Sequence, residues 1–257
     1  SNDTWARDHG PISVFEDGQL RLLDFIFNGW GLKFPANRDN LLTKTLHTWG
    51  IYGDLPLEQV GLVLEGGALE TDGQGTLLTT RECLLSPNRN PHLEQAALEE
   101  KLNETLGVDR FLWLENGRLL GDDTDAHIDT LARFCDAETI AYVHCDDPRD
   151  VHYADLQLME QELQQFRTRR GTPYRLVPLP WPDACHAQDG NRLPATYANF
   201  LIINGAVLVP TYGLPQDQTA LQVLQDCFPT REIIGIDCRL LIEQHGSLHC
   251  VTMQIPR

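Results

Sequence analysis

The sequence predicts an α+β protein assembled from a repeated unit of two short strands, a helix and a third strand. Short apolar runs occur in pairs joined by tight polar turns. Each pair is followed by a stretch with helical periodicity, and that stretch gives way to one more apolar run. The unit recurs at about 50–70 residues, a spacing that signals internal repetition.

In the first unit, Ile12-Ser13-Val14-Phe15 meets a turn at Glu16-Asp17-Gly18, Leu20 to Phe27 returns, a helix is expected from Asn40 to Trp49, and a strand near Leu55 to Gln59. The second takes Gly61 to Glu70, a hairpin turn at Asp72-Gly73-Gln74-Gly75, and Thr76 to Thr80. Its helix, Pro91 to Leu106, places Leu93, Ala97, Leu98 and Leu102 on one face, and Phe111 to Leu114 is the third strand. The third unit takes Ile128 to Cys135, Thr139 to His144, a helix from Val151 to Phe166 and Tyr174 to Leu179. The fourth takes Tyr197 to Ile203, Ala206 to Pro210, a helix from Gln216 to Cys227 and Glu232 to Ile236. A lone extended segment, Leu248 to Ile255, is expected to open a fifth unit. The chain begins Ser1-Asn2-Asp3-Thr4-Trp5, and a native segment is expected ahead of it. Such a segment would complete the fifth unit and close a ring of five. Residues 1–257 are then expected to be a single domain.

Composition narrows the function. Twenty Lys and Arg against 37 Asp and Glu leave a net charge of −17. That field repels phosphate backbones and attracts small cations, so nucleic acid is not an expected partner. No run of about 18 apolar residues marks a membrane span. Seven cysteines without a Cys-x-x-Cys pair or a secretory signal read as reduced thiols, which points to the cytoplasm. No phosphate loop, dinucleotide fingerprint or zinc-spaced cluster is present, so no cofactor or metal is expected.

Four segments carry polar residues that a purely structural role explains poorly. Trp5-Ala6-Arg7-Asp8-His9-Gly10-Pro11 packs acids and bases ahead of a strand, although a surface ion pair between Arg7 and Asp8 would also account for it. Glu65 stands between an apolar run and Gly66-Gly67, where glycines admit a close neighbour or simply end a strand. In Asp122-Asp123-Thr124-Asp125-Ala126-His127-Ile128-Asp129, His127 and Asp129 would share one face of a strand, which suits acid–base work. The acidic run also admits a solvated loop or a cation, though EF-hand spacing is absent. In Gly246-Ser247-Leu248-His249-Cys250-Val251-Thr252, alternation puts Cys250 and His249 on opposite faces. A base for Cys250 should therefore come from elsewhere, which suits His127.

Together and in this order, these segments resemble the agmatine deiminase family, also called bacterial-type peptidyl-arginine deiminases, of the guanidino-group-modifying pentein superfamily. The matching stretches are Asn2 to Pro11, Leu64 to Gly67, Asp123 to Thr130, Asn199 to Tyr212 and His249 to Pro256. The resemblance implies a propeller of ββαβ modules about a pseudo-five-fold axis. It implies Cys250 as nucleophile, His127 as acid–base residue and Glu65 as partner of that imidazole. It further implies Asp8 and Asp129 as holders of the guanidinium, and Trp5 as a border of the substrate channel. The implied reaction converts agmatine to N-carbamoylputrescine and ammonia through a covalent amidino-cysteine, within putrescine synthesis. A homo-oligomer is compatible with it. Two departures bear on the pocket: Gln244-His245-Gly246-Ser247 stands where a Gly-Gly-Gly run is usual, and Ala126 precedes the histidine where Gly is usual. Peptidyl-arginine or free arginine are alternative substrates. A relative acting on methylated arginine or transferring the amidino group, a thiol protease and a non-catalytic pentein binding protein are alternative readings.

Overall fold

Neighbouring apolar runs pair locally. In the computed structural model, which describes residues 1–256, they form four three-stranded sheets. The first holds β1 (Ile12–Glu16), β2 (Gln19–Ile26) and β3 (Leu57–Val63), the second β4 (Glu70–Thr71), β5 (Thr76–Thr80) and β6 (Arg110–Leu114). The third holds β7 (Ala132–Asp136), β8 (Thr139–Val143) and β9 (Arg175–Leu179), the fourth β10 (Leu201–Ile203), β11 (Ala206–Thr211) and β12 (Glu232–Asp237). In every sheet the first two strands form an antiparallel hairpin and the third joins in parallel, as in the pairs Leu77↔Phe111 and Ile140↔Leu176. A parallel neighbour needs a crossover. The helices α1 (Leu42–Thr48), α2 (Gln95–Leu106), α3 (Tyr153–Gln165) and α4 (Asp217–Cys227) each lie within one. The repeated ββαβ unit is therefore the observed one.

The middle strands are buried on both faces. On β5, Leu77 and Leu78 point in opposite directions; both are buried, Leu77 in the core of the first two units and Leu78 in that of the last two. Burying side chains of this size contributes about 1.5–3 kcal/mol each. The threonines of the same strand do different work. Thr79 Oγ1 donates to the carbonyl of Ala68 at 2.7 Å, and Thr80 Oγ1 donates to the carbonyl of Ala126 at 2.8 Å. One buried strand thereby anchors the turns after Glu65 and before His127.

Four expected strands end differently; in Tyr197 to Ile203 the first residues form a turn and β10 starts only at Leu201. Gly61 to Glu70 is not one strand: residues through Val63 complete the first sheet, a short 3-10 turn occupies Gly66–Ala68, and β4 starts at Glu70. Ile128 to Cys135 begins as a 3-10 turn, Ile128–Thr130, closed by Thr130 N–H donating to the His127 carbonyl at 3.1 Å. His127 and Asp129 are therefore not on a strand. Leu248 to Ile255 forms no strand either. The backbone doubles back, with Val251 N–H donating to Ser247 O at 3.3 Å and Thr252 N–H to His249 O at 3.1 Å.

Candidate active site

The short helix Ala6–His9 presents Asp8 inward. Asp8 Oδ2 accepts from Trp30 Nε1 at 2.9 Å, and Oδ1 accepts from Gly67 N–H at 3.0 Å. Arg7 is not in a surface ion pair with Asp8. It is buried, with Nε directed at the His249 carbonyl at 3.4 Å, and burial lowers its pKa to about 10. The Gly66-Gly67 pair is explained by crowding. A Cβ on Gly67 would lie 2.4 Å from His127 Nδ1 and 2.8 Å from Asp8 Oδ1; one on Gly66 would lie 2.2 Å from the Arg7 carbonyl.

His127 sits between two carboxylates, with Nδ1 3.5 Å from Asp8 Oδ1 and Nε2 3.6 Å from Glu65 Oε2. Burial opposes its charge, but Asp8, and then Cys83 and Glu65, hold its pKa well above the usual histidine value. Glu65 is wholly buried and accepts from Arg89 Nε at 2.8 Å. Burial would raise its pKa, yet His127 and Arg89 bring it below the ordinary carboxylate value. Arg89 also reaches Asp125 Oδ2 at 2.7 Å and the Thr124 carbonyl at 2.9 Å, tying Glu65 to the loop that carries His127. That loop turns on the left-handed residues Asp125 (φ 67°) and Ala126 (φ 63°) and is capped by Asp122, which accepts from Ala126 N–H at 2.7 Å. Ala126 thus occupies a conformation that favours glycine.

Cys250 is held by Asn199, whose Oδ1 accepts from His249 N–H at 2.9 Å and Cys250 N–H at 3.3 Å and lies 3.4 Å from Sγ. Burial, then the negative charges of Asp129 and Asp8, push the thiol pKa well above its usual value. Asp129 is wholly buried, and burial raises its pKa to about 7 against the opposing pull of His127. Its Oδ2 pairs with His249 Nδ1 at 2.7 Å, while Oδ1 has no partner.

Cys250, Asp8 and Trp5 line one cavity of about 150 Å³ together with Trp30, Phe34 and Asp123. Asp3, Asp122 and His245 are also on its wall. Trp5 packs on the turn before the cysteine: a Cβ at Gly246 would fall 2.5 Å from its ring. Glu65, His127 and Asp129 are buried beyond that wall. All six residues singled out in the sequence therefore belong to one neighbourhood. Asn199, Arg89 and His249 were missed as working parts. Asn199 and His249 lie within stretches that carried the resemblance, but only the folded contacts reveal what they hold.

Glu65, Cys83 and His127 have ligand atoms within 4.8 Å of one another, the spacing a metal would need. The Arg89 guanidinium on Glu65 already supplies the cation there and would repel a metal dication.

A thiol, an imidazole between two carboxylates and one further buried carboxylate stand beside a narrow acidic cavity, groups of the kind that cysteine-based chemistry on a planar cation needs. The family model described as Porphyromonas-type peptidyl-arginine deiminase matches residues 1–256, and the chain belongs to that family. An agmatine deiminase from Pseudomonas fluorescens is 34% identical over 100% of this chain and 75% of its own length. A crystal structure from Porphyromonas gingivalis is 60% identical, with a TM-score of 0.97, covering 100% of this chain and 76% of that one. The C. jejuni C315S agmatine deiminase with substrate bound is 43% identical with a TM-score of 0.91, covering 98% and 73%. The fold is α+β with neighbours of the pentein type.

Proposed function

We propose that the protein is an agmatine deiminase, hydrolysing agmatine to N-carbamoylputrescine and ammonia, with Cys250 as nucleophile. The observation that carries this reading is the cavity wall. Asp3, Asp8, Asp122 and Asp123 line it beside Trp5 and Trp30, and none of the described residues lining it is a Lys or Arg. Agmatine is cationic at both ends and suits such a wall. Free arginine would bring an unpaired carboxylate into it. We also read the four modules as blades about a pseudo-five-fold axis, within one catalytic domain.

Asp8 and Asp129 accept N–H donors of the guanidinium and fix its central carbon. The arriving cation offsets the two carboxylates that, together with burial, hold the Cys250 thiol protonated, so binding itself favours the thiolate, and the thiol proton passes to solvent, where the released ammonia takes it up. Sulfur attacks the central carbon, and protonated His127 gives its proton to the departing nitrogen, which leaves as ammonia. His127, now neutral, takes a proton from water as that water attacks the amidino-thioether. The C–S bond breaks, the ureido product leaves, and thiol and imidazolium are restored. Glu65 keeps the imidazole oriented and charged. The net change is guanidinium plus water to ureido compound plus ammonium.

Ammonia release from agmatine, with free arginine and an arginine peptide as controls, tests the proposal. Cys250→Ala should abolish turnover, and mass spectrometry of the wild type quenched during turnover should show the amidino adduct on Cys250. Ammonia release from arginine but not agmatine would overturn it.

A further inference from the structure

We propose that His249 is a positioning residue: a neutral imidazole with its proton on Nδ1, it holds Asp129 Oδ2 so that Oδ1 is presented to the substrate guanidinium. This rests on reading the site as a guanidino hydrolase.

The protonation follows from what each ring nitrogen faces. Nδ1 is 2.7 Å from Asp129 Oδ2, and a carboxylate oxygen that carries no proton only accepts. Nε2 is 3.4 Å from an Arg133 terminal nitrogen, and a guanidinium only donates. A single arrangement satisfies both: proton on Nδ1, lone pair on Nε2. Arg133 cannot swing away. It is buried, its Nε is paired with Glu70 at 2.6 Å, another nitrogen reaches the Phe200 carbonyl at 2.7 Å, and it stacks on the Phe200 ring at 4.8 Å. A continuous buried line thus runs Glu70–Arg133–His249–Asp129 and ends on Oδ1, the carboxylate atom without a partner. A buried oxygen in that state awaits a donor, and a guanidinium supplies one. The same residue's backbone N–H is held by Asn199, which also holds Cys250, so nucleophile and carboxylate are set by one turn.

The charged groups acting on Asp129 are His127, Asp8, Arg133 and Arg7, with His249 in contact and the Cys250 thiol nearby. Replacing His249 by leucine removes the side-chain donor to Asp129 and leaves those charges in place. The carboxylate then holds its proton to higher pH and binds a cation less well.

Three full-length proteins make the test: wild type, His249→Leu and His249→Asn, whose amide nitrogen falls near the site of Nδ1. With agmatine, His249→Leu should raise KM about 10- to 100-fold with a smaller change in kcat. It should also move the acid limb of kcat/KM toward higher pH. His249→Asn should return KM and the limb toward wild type. Two folded variants equally impaired, or an acid limb that stays put, would overturn the proposal. ¹⁵N-histidine NMR of the wild type reads the claim without turnover: His249 should remain neutral and protonated on Nδ1 from about pH 5 to 9. An Nε2-protonated or titrating ring overturns the assignment whatever the enzyme turns over. Absence of ammonia from wild type with every guanidino compound would instead defeat the reaction reading.

Discussion

His127 and His249 are both almost fully buried, within the same site, and the fold shifts their pKa values in opposite directions. His127 lies between Asp8 and Glu65, and its pKa is held well above the ordinary value. His249 faces one carboxylate but also Arg133; burial, then Arg133 and Arg7, lower its pKa well below the ordinary value. Burial disfavours charge on both rings. The neighbours decide which ring overcomes it. On the proposed reading, one histidine is a proton donor for the chemistry and the other a fixed hydrogen-bond donor for a carboxylate.

The strongest attempt to break this comparison is His127→Gln. If His127 moves protons and His249 does not, this substitution should lower kcat by about 10³-fold, measured as ammonia release, while the fold persists. A loss below tenfold would remove the contrast.

Arg89→Met should come next, on stability. It removes the nearer of the two cations beside Glu65, leaving His127 at 3.6 Å, and should cost about 3 kcal/mol. That corresponds to a fall in melting temperature of roughly 10 °C by calorimetry. An unchanged melting temperature would mean that Glu65 is not ionised.

Stability against pH sharpens the comparison, because the two shifts have opposite signs. The raised pKa of His127 contributes stability in full below about pH 6.5, and that contribution is lost as pH rises through its folded value. The lowered pKa of His249 does the reverse: its contribution is full above about pH 6.5 and is lost as pH falls through its folded value. Relative to wild type, His127→Gln should therefore be most destabilised at low pH, and His249→Asn should improve as pH falls. Melting curves across about pH 5–8 check both slopes, and slopes of the same sign would refute the assigned charges.

The smallest effect concerns the loop ahead of His127. Ala126 has φ 63°, a conformation that costs an L side chain about 1 kcal/mol. Ala126→Gly should raise the melting temperature by a few degrees if relief of that strain outweighs the added freedom of the unfolded chain. A lower melting temperature would show that the alanine methyl is worth more as packing than it costs as strain.

Much of the fold was legible because strand pairing here is local. Hairpins such as Thr71–Thr76 and Ile203–Ala206 are written in adjacent apolar runs and turn residues, and the crossover helices repeat between them. Errors arose where side chains from elsewhere override local preference. Leu248 to Ile255 reads as alternating, yet Asn199 captures two successive backbone N–H groups and bends it. Ile128 reads as the start of a strand, yet the turn is fixed by Thr80 reaching the Ala126 carbonyl and by the Asp122 cap. Similarly, Glu65-Gly66-Gly67 admitted a plain strand end until Arg7 and His127 were found pressed against it.

The amino-acid order by itself determined the repeat, the acidic balance and the identity of the chemically capable side chains, because these depend on residue type and short spacings. Tertiary structure alone decided which imidazole has its pKa raised and which lowered, which carboxylate oxygen lacks a partner, and that burial and two acids push the thiol pKa up. Those properties come from electrostatics and desolvation acting over a few ångströms between residues more than a hundred positions apart, as His249 and Asp129 are. Distances of that kind exist only once the modules have packed.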